Sequence, residues 1–402
     1  MNVVWVKVGG LWPVNTGGRL RSFHILEALA RRHRLTLITT HGPGDDPQGL
    51  ERRLASCEVV SFPHAPPKHG SPGFAAALAR SWLSRLPVDL WKWRVPALRR
   101  ELEARLARGG VDVVVADFLS TIPNLPPAAG VPVVFFEHNV EHVIWRRLAE
   151  NEALRLRLLL LAVEWRKLRR REAEACAAAS LTLAVSEPDR DALARLAGAA
   201  RVAAIPTGVD TAYFQPNGRP EAPGRLVFTG SMDWFPNEDG VGHFMDAVLP
   251  LVRRRRPHVT LSVVGRSPSP RLQALASRHG VTVTGRVEDV CPYVAEAELY
   301  VVPLRIGGGT RLKIFEALAM GKAVVSTTVG AEGLPLVPSR DFVRADGPEA
   351  FAAAVVRLLD DPAGRRALGA AGRRLVLERY SWDQVALEFE QRCREGMSAC
   401  RG

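Results

Sequence analysis

Lysine is nearly missing from this 402-residue chain: six of its 54 basic side chains are lysine and the rest are arginine. Alanine is abundant as well, so the bias is a compositional drift, and the net charge of +12 does not by itself identify a partner. Cysteine is scarce. The five residues, Cys57, Cys176, Cys291, Cys393 and Cys400, are scattered, odd in number and never in C-x-x-C spacing. That excludes a disulfide framework or a cysteine zinc cluster and fits a reducing compartment. Long apolar runs are absent: a greasy run such as Leu158–Val163 falls far short of the ~20 residues a membrane-spanning helix needs. The opening MNVVWVKVGG runs straight into a strand without a signal-peptide layout, so a cytoplasmic location is expected. There is no internal repeat and no low-complexity tract.

What is present is ordinary globular material, 47% hydrophobic with a mean hydropathy of −0.01. The length exceeds one core and suits two domains. Continuous apolar runs predict strands at Val3–Val8, Leu35–Thr39, Val59–Phe62, Val111–Ala116, Val131–Phe136, Leu181–Val185 and Val202–Ile205. Tyr213–Gly224 then reads as a linker rich in proline and glycine. The pattern restarts with strands at Arg225–Thr229, Thr260–Val264, Val281–Thr284, Leu299–Pro303 and Ala323–Thr327, and closes with helices at Ala352–Leu359, Ala363–Arg379 and Trp382–Arg394. Strands alternating with helices make the fold class α/β, with two Rossmann-like doubly wound domains facing across a cleft. The expected limits are 1–212, 213–380 and a C-terminal helix, 381–402, packing back toward the N-terminal domain.

One stretch carries the clearest chemistry. In Leu299–Gly321 a buried strand leads into Gly307, Gly308 and Gly309, then Thr310 at an N-cap and a helix over Arg311–Met320. Such a turn is an anion site, because unpaired amide N–H groups converge where glycine lets a ligand approach. Arg311 and Lys313 fall in the first helical turn, where the helix dipole disfavours cations by about 0.3–1 kcal/mol each unless an anion sits there. Glu316, three residues past Lys313 on the same face, could accept from a pair of sugar hydroxyls. The plainer alternative is a solvated Lys313–Glu316 pair.

Other charged motifs read as structural. Asp189-Arg190-Asp191 follows Ser186-Glu187-Pro188, an N-cap and first helical turn, and Asp360-Asp361-Pro362 is a helix boundary. Two segments interleave arginine with apolar residues: Arg80–Arg108 has eight basic residues to three acidic, and Arg146–Arg171 has nine to three. With Trp82, Trp91, Trp93, Trp145 and Trp165 they have the pattern of helices lying on an anionic membrane surface, the alternative being ordinary amphipathic helices in an arginine-biased chain. Neither has a helix-turn-helix or RNA-binding signature, so nucleic acid is not an expected partner.

Five motifs in order carry a family likeness. They are Asn15-Thr16-Gly17-Gly18 after the first strand; PVVFFEHNVEH at 132–142; Ile205-Pro206-Thr207-Gly208-Val209-Asp210 with Phe214-Gln215-Pro216; Phe228-Thr229-Gly230-Ser231; and GGGTRLKIFEALAMGKAVVSTTVGAEGL from Gly307. The chain resembles the retaining glycosyltransferases of family 4, which have the GT-B fold. The resemblance implies transfer of a sugar from a nucleotide diphosphate to a glycan or lipid-linked acceptor in surface polysaccharide or glycolipid synthesis. It also implies no metal and no cofactor beyond the nucleotide sugar itself.

By the same resemblance, Glu316 binds the ribose, Arg311 and Lys313 hold the diphosphate, and Gly307, Gly308, Gly309 and Thr310 form the loop beside it. Gly17 and Gly18 approach the phosphates, Gly230 and Ser231 form a further donor turn, and Arg286 and Val287 lie in the segment that reads the base. His138 contacts the transferred sugar, whereas Glu137 and His142 are read as structural. Two departures stand out. Gly308 occupies the place of the first glutamate of the E-x7-E pair, and the loop SMDWFPNEDG lacks the arginine and lysine found there in the family. The alternatives on this fold are a nucleotide-sugar epimerase and a non-catalytic donor-binding subunit.

Overall fold

The computed structural model describes residues 1–127, 129–150, 154–198, 200–306 and 312–398, with only the backbone of Arg155 and Leu156. The chain divides into two compact units, one formed by Met1–Pro206 with the segment from Val385 onward, the other by Thr207–Gln384.

Unit 1 is built on β1 (Asn2–Lys7), β2 (Arg34–His41), β3 (Glu58–Pro63), β4 (Val113–Asp117), β5 (Val133–Phe136), β6 (Leu181–Ala184) and β7 (Val202–Ala204). They form one seven-stranded sheet, ordered β3-β2-β1-β4-β5-β6-β7, with every pair parallel. Chain order reverses between β1 and β4, which places the topological switch point at the ends of Lys7 and Asp117. Phe389, from the returning C-terminal segment, stacks on Trp5 of β1 at 5.2 Å.

Unit 2 repeats the design with β8 (Arg225–Thr229), β9 (Thr260–Val264), β10 (Thr282–Val283), β11 (Leu299–Val302), β12 (Ala323–Ser326) and β13 (Val343–Arg344). Their order is β10-β9-β8-β11-β12-β13, again parallel throughout, and the switch point lies between β8 and β11. Strands β4, β6, β11 and β12 are buried along their whole length, the reason their sequences are mostly apolar, with Asp117, Thr182 and Ser326 the polar exceptions.

The doubly wound architecture is the one expected; β2 and β3 run longer than expected, β8 and β9 as expected, and β4–β7 and β10–β12 shorter. Pro132 and Pro303 have no N–H for the ladder, so β5 begins at Val133 and β11 ends at Val302. Val281 gives its N–H to Ala276 O at the end of the Pro270–His279 helix, leaving β10 two residues long. Strand β13, also two residues, is too short for any periodicity to show. Ser186 caps the Glu187–Ala197 helix, accepting from Asp189 N at 3.2 Å and donating to its carboxylate at 2.7 Å. The D-x-D triplet is thus part of a helix start.

The Leu312–Ala319 helix is fixed from behind. It sinks Ile314, Phe315 and Leu318 into the core of unit 2, and Phe315 stacks on Tyr380 at 4.4 Å. The Pro362–Arg379 helix approaches through glycine: a Cβ on Gly369 would lie 2.0 Å from the Gly321 carbonyl oxygen, and one on Gly372 2.5 Å from Leu318. Neither neighbour can yield without moving backbone or core. Gly369→Val should therefore cost about 1–3 kcal/mol of unfolding free energy in a urea titration. A change below about 0.5 kcal/mol, the range of an ordinary surface substitution, would show that the helix is not pinned there.

Candidate functional site

In unit 2 the carboxyl ends of β8, β9 and β10 turn over three glycines. Gly265 and Gly285 form an isolated antiparallel bridge, and a Cβ on Gly265 would lie 1.8 Å from the carbonyl oxygen of Gly230. The turns stack because none carries a side chain at the contact. Their outward groups are Ser231, Arg266 and Arg286. Arg266 Nε donates to Ser231 Oγ at 2.7 Å, while Arg286 is exposed and Val287 packs half-buried against the core.

Lys313 reaches this edge from the Leu312–Ala319 helix. Its Nζ donates to Asn237 Oδ1 at 2.7 Å and lies 4.1 Å from the centroid of the Phe228 ring. Asn237 is buried and donates its amide to Ser231 O at 2.8 Å. A Cβ on Gly230 would stand 2.6 Å from Lys313 Nζ and 2.7 Å from Asn237 Nδ2, so only glycine lets the pair close over the turn. One turn along, Glu316 is half-buried, and burial pushes its carboxyl up to about 7, with Lys313 pulling the other way. The Thr229 and Tyr300 hydroxyls bond at 2.5 Å beneath it, and its charge is felt by Tyr300 and Cys291. Gly307, Gly308, Gly309, Thr310 and Arg311 lie outside the described residues.

At the switch point of unit 1, Gly17 meets nothing within 4 Å of an added Cβ, whereas one on Gly18 would stand 2.5 Å from the Phe118 ring. Phe118 holds a left-handed backbone, φ +71°, with its ring stacked flat on His138 at 3.9 Å and Lys7 Nζ 4.1 Å from its centroid. His138 is 4% exposed and bonded at both ring nitrogens. Arg21 Nη1 lies 2.9 Å from Nδ1, and because arginine can only donate, Nδ1 accepts. Nε2–H then donates to Asp117 Oδ1 at 2.8 Å. Burial holds the imidazole at about 3, against the pull of Asp117, so the ring is neutral. Burial alone would raise the Asp117 carboxyl, but Lys7 at 3.3 Å and the His138 bond hold it well below the usual range.

The expected sugar-contacting histidine is thus a clamped, neutral residue. Of its neighbours, His142 pairs with Glu172, and Glu137 is buried with neither carboxylate oxygen partnered. Burial, with Glu141 and Glu172 nearby, raises the Glu137 carboxyl well above its ordinary value. Among the described residues no group of three His, Cys, Asp or Glu side chains is placed to hold a metal ion.

Sequence reasoning missed Asn237 and Arg266. Asn237 left a signal: it shares a helical period with Gly240, Val241 and Phe244, all buried, so a polar residue there needs a partner. Arg266 left none in a chain so rich in arginine. Glu316 generates a pH signature. Its folded carboxyl, at about 7 against an ordinary 4.5, keeps a proton that the unfolded chain has already released. Its contribution to stability is intact below pH 4.5 and is lost as pH rises through 7. Glu316→Gln should melt with wild type at the acid end and above it at pH 8. Equal melting at both would show that no desolvated carboxyl sits there.

Family models locate this architecture. "Glycosyltransferase Family 4" matches residues 16–213 and "Glycosyl transferases group 1" matches 223–361. An MMP alpha-(1->4)-mannosyltransferase of Mycolicibacterium hassiacum is 32% identical over 46% of this chain and 46% of its own length. The GDP-mannose-dependent alpha-(1-6)-phosphatidylinositol monomannoside mannosyltransferase of Mycolicibacterium smegmatis is 26% identical over 79% of this chain and 93% of its own. The first match therefore spans about half of its relative. Among solved structures, a sucrose-phosphate synthase from Thermosynechococcus elongatus superimposes with a TM-score of 0.65 at 18% identity, covering 99% of this chain and 100% of that one. Anabaena HepE in complex with UDP gives 0.66 at 14%, covering 98% and 100%. At those identities the structures speak for the GT-B fold alone. With both units matched in order by the two family models, the chain belongs to the family 4 glycosyltransferases.

Proposed function

We propose that the chain is a retaining, metal-independent hexosyltransferase that moves a sugar from a nucleoside-diphosphate donor to a glycan or lipid-linked acceptor in surface polysaccharide or glycolipid synthesis. It would act at the cytoplasmic face of a membrane. The observation that carries the reading is the Lys313 ammonium held by Asn237 over the Gly230–Ser231 turn, with Glu316 one helical turn away. Lys313 and Arg311, with the amides of Gly307–Thr310, take the diphosphate; Glu316 accepts from the ribose hydroxyls; Arg266, Arg286 and Val287 lie toward the base. In unit 1, the Gly17–Gly18 turn would approach the donor phosphates and His138 the transferred sugar. The neutral, doubly bonded His138 ring serves there by position, without carrying a proton.

The chemistry needs no protein nucleophile. The bond between the anomeric carbon and the β-phosphate oxygen breaks, and its electron pair leaves with the nucleoside diphosphate. Lys313 and Arg311 stabilise the charge gathering on that oxygen. The acceptor oxygen bonds to the anomeric carbon from the same face, and its proton passes to the departing phosphate. Asn237 answers the missing cations of the SMDWFPNEDG loop: instead of supplying a charge, the loop fixes one that arrives from the facing helix.

The mannosyltransferase relatives make GDP-mannose the first donor to try, with UDP-glucose beside it. Purified protein should slowly release free nucleotide from one of them. Lys313→Ala and Asn237→Ala should each lower that rate at least about tenfold, ~1.4 kcal/mol. If Asn237 acts through Lys313, the double variant should lose little more than either single one. Near-wild-type turnover in Lys313→Ala would remove the site, and additive losses would separate the two residues.

A further inference from the structure

Unit 1 carries an apolar surface that its own core does not cover. Ile144 and Leu148 stand one turn apart and exposed on the Glu141–Glu150 helix. Leu159 and Val163 do the same on the Arg155–Ala178 helix packed against it, Leu159 to 61%. The Pro72–Trp82 helix ends beside them. Trp82 Nε1 donates to Glu164 Oε1 at 3.1 Å, and Lys167 Nζ donates to Ser81 O at 2.9 Å, pinning that end to the long helix. Trp82 nonetheless remains 48% exposed, and Leu83 after it is 91% exposed. Exposed leucines scattered singly mean little. Carried on three helices joined through the Arg155–Ala178 helix, they mark a candidate interaction surface.

The charge around this face has one sign. Arg146, Arg147, Arg157 and Arg166 are all exposed on the two helices. Among the described residues from 141 to 166, the exposed acid is Glu150, held by Arg146 at 3.4 Å. At the next residues, Ser84–Leu86, a groove of about 710 Å³ opens along unit 1, lined by Arg85, Arg94, Arg99 and Arg171 and by one acid, Glu174, which Arg171 holds. Exposed leucine, half-exposed tryptophan and nearby arginine are the side-chain types that the three layers of a bilayer boundary take up: acyl chains, glycerol region, phosphates. Long arginine stems can lie along the apolar zone while their heads stay at the phosphates.

We propose that this face docks on an anionic lipid bilayer, Leu83 and Leu159 entering the acyl boundary and the arginines pairing with lipid phosphates. The inference draws its purpose from the proposed lipid-linked acceptor, but its test reads binding without turnover, so either reading can fail alone. Full-length protein is spun with phosphatidylglycerol–phosphatidylcholine vesicles and with phosphatidylcholine vesicles at about 50 mM salt, where surface charge is weakly screened. Binding to the anionic vesicles should be at least about tenfold greater and should fall as salt rises. L83D/L159D and R157E/R166E should each lose most of it while melting like wild type, since all four positions are exposed. R254E/R278E, on exposed arginines of unit 2, should keep it.

Wild type left in the supernatant, or an apolar variant that binds as well as wild type, would overturn the proposal; so would an equal loss in R254E/R278E, which would reduce the effect to bulk charge. Self-association of the lipid-free protein that L83D/L159D abolishes would also overturn it, assigning the face to a second copy of the chain.

Discussion

Everything at the edge of unit 2 depends on one hydrogen bond that a single methyl group would prevent. Lys313 and Asn237 close over Gly230 because nothing projects from that residue. A long lysine side chain loses much rotamer freedom when fixed, and an exposed lysine at a helix start would scatter its charge over many positions. Here the Phe228 face and a buried amide hold the ammonium in one place, and the same amide's other end holds the turn. A charge positioned before the ligand arrives avoids reorganisation during the reaction, which is where electrostatic catalysis draws most of its effect.

The switch point of unit 1 spends its charges differently. Lys7, Asp117, His138 and Arg21 form a buried chain in which each group answers another, with Trp5 donating to the same carboxylate at 2.9 Å. Removing one partner of a buried pair strands the other, so such a network rigidifies its surroundings more than it offers charge to a ligand. Both sheets place polar groups where ligands of doubly wound folds bind. Unit 1 closes its set internally and buried, whereas in unit 2 Arg266 stays exposed, with Asp233 3.7 Å away, and Lys313 is held by the neutral Asn237 amide. That contrast agrees with assigning the anionic donor to unit 2.

The fold was legible because burial on both faces leaves a strand few polar positions, so β4, β11 and β12 read as apolar runs, up to Asp117 and Ser326 at the ends of β4 and β12. Where that logic fails, the reading failed: β13 has two residues, and the Pro47–Arg53 and Pro72–Trp82 helices sit on the surface with too few buried positions to impose a period. In the site, Lys313 and Glu316 were visible from local chemistry, while the Gly307–Gly309 turn lies outside the described residues. The partners of His138 were not, because Arg21, Asp117 and Lys7 meet it across four separate segments and each looks like an ordinary surface or core residue alone. Asn237 lies between these cases, since its helical period condemned it to burial while nothing local said what it would bond.

Glu316 shows what such a site costs. A half-buried carboxyl beside Tyr300 and Cys291, raised to about 7, is a poor choice for stability: a glutamine of the same shape would avoid the desolvation. Its retention makes sense only if the ionised form is useful. Two ribose hydroxyls donating to a carboxylate would favour the charged state and lower its pKa. Donor binding would then release the proton that the free protein keeps. If the proposed ribose contact holds, affinity for the nucleotide and ionisation of Glu316 would be two sides of one equilibrium, and that linkage would separate a ribose ligand from a carboxyl that merely happens to be buried.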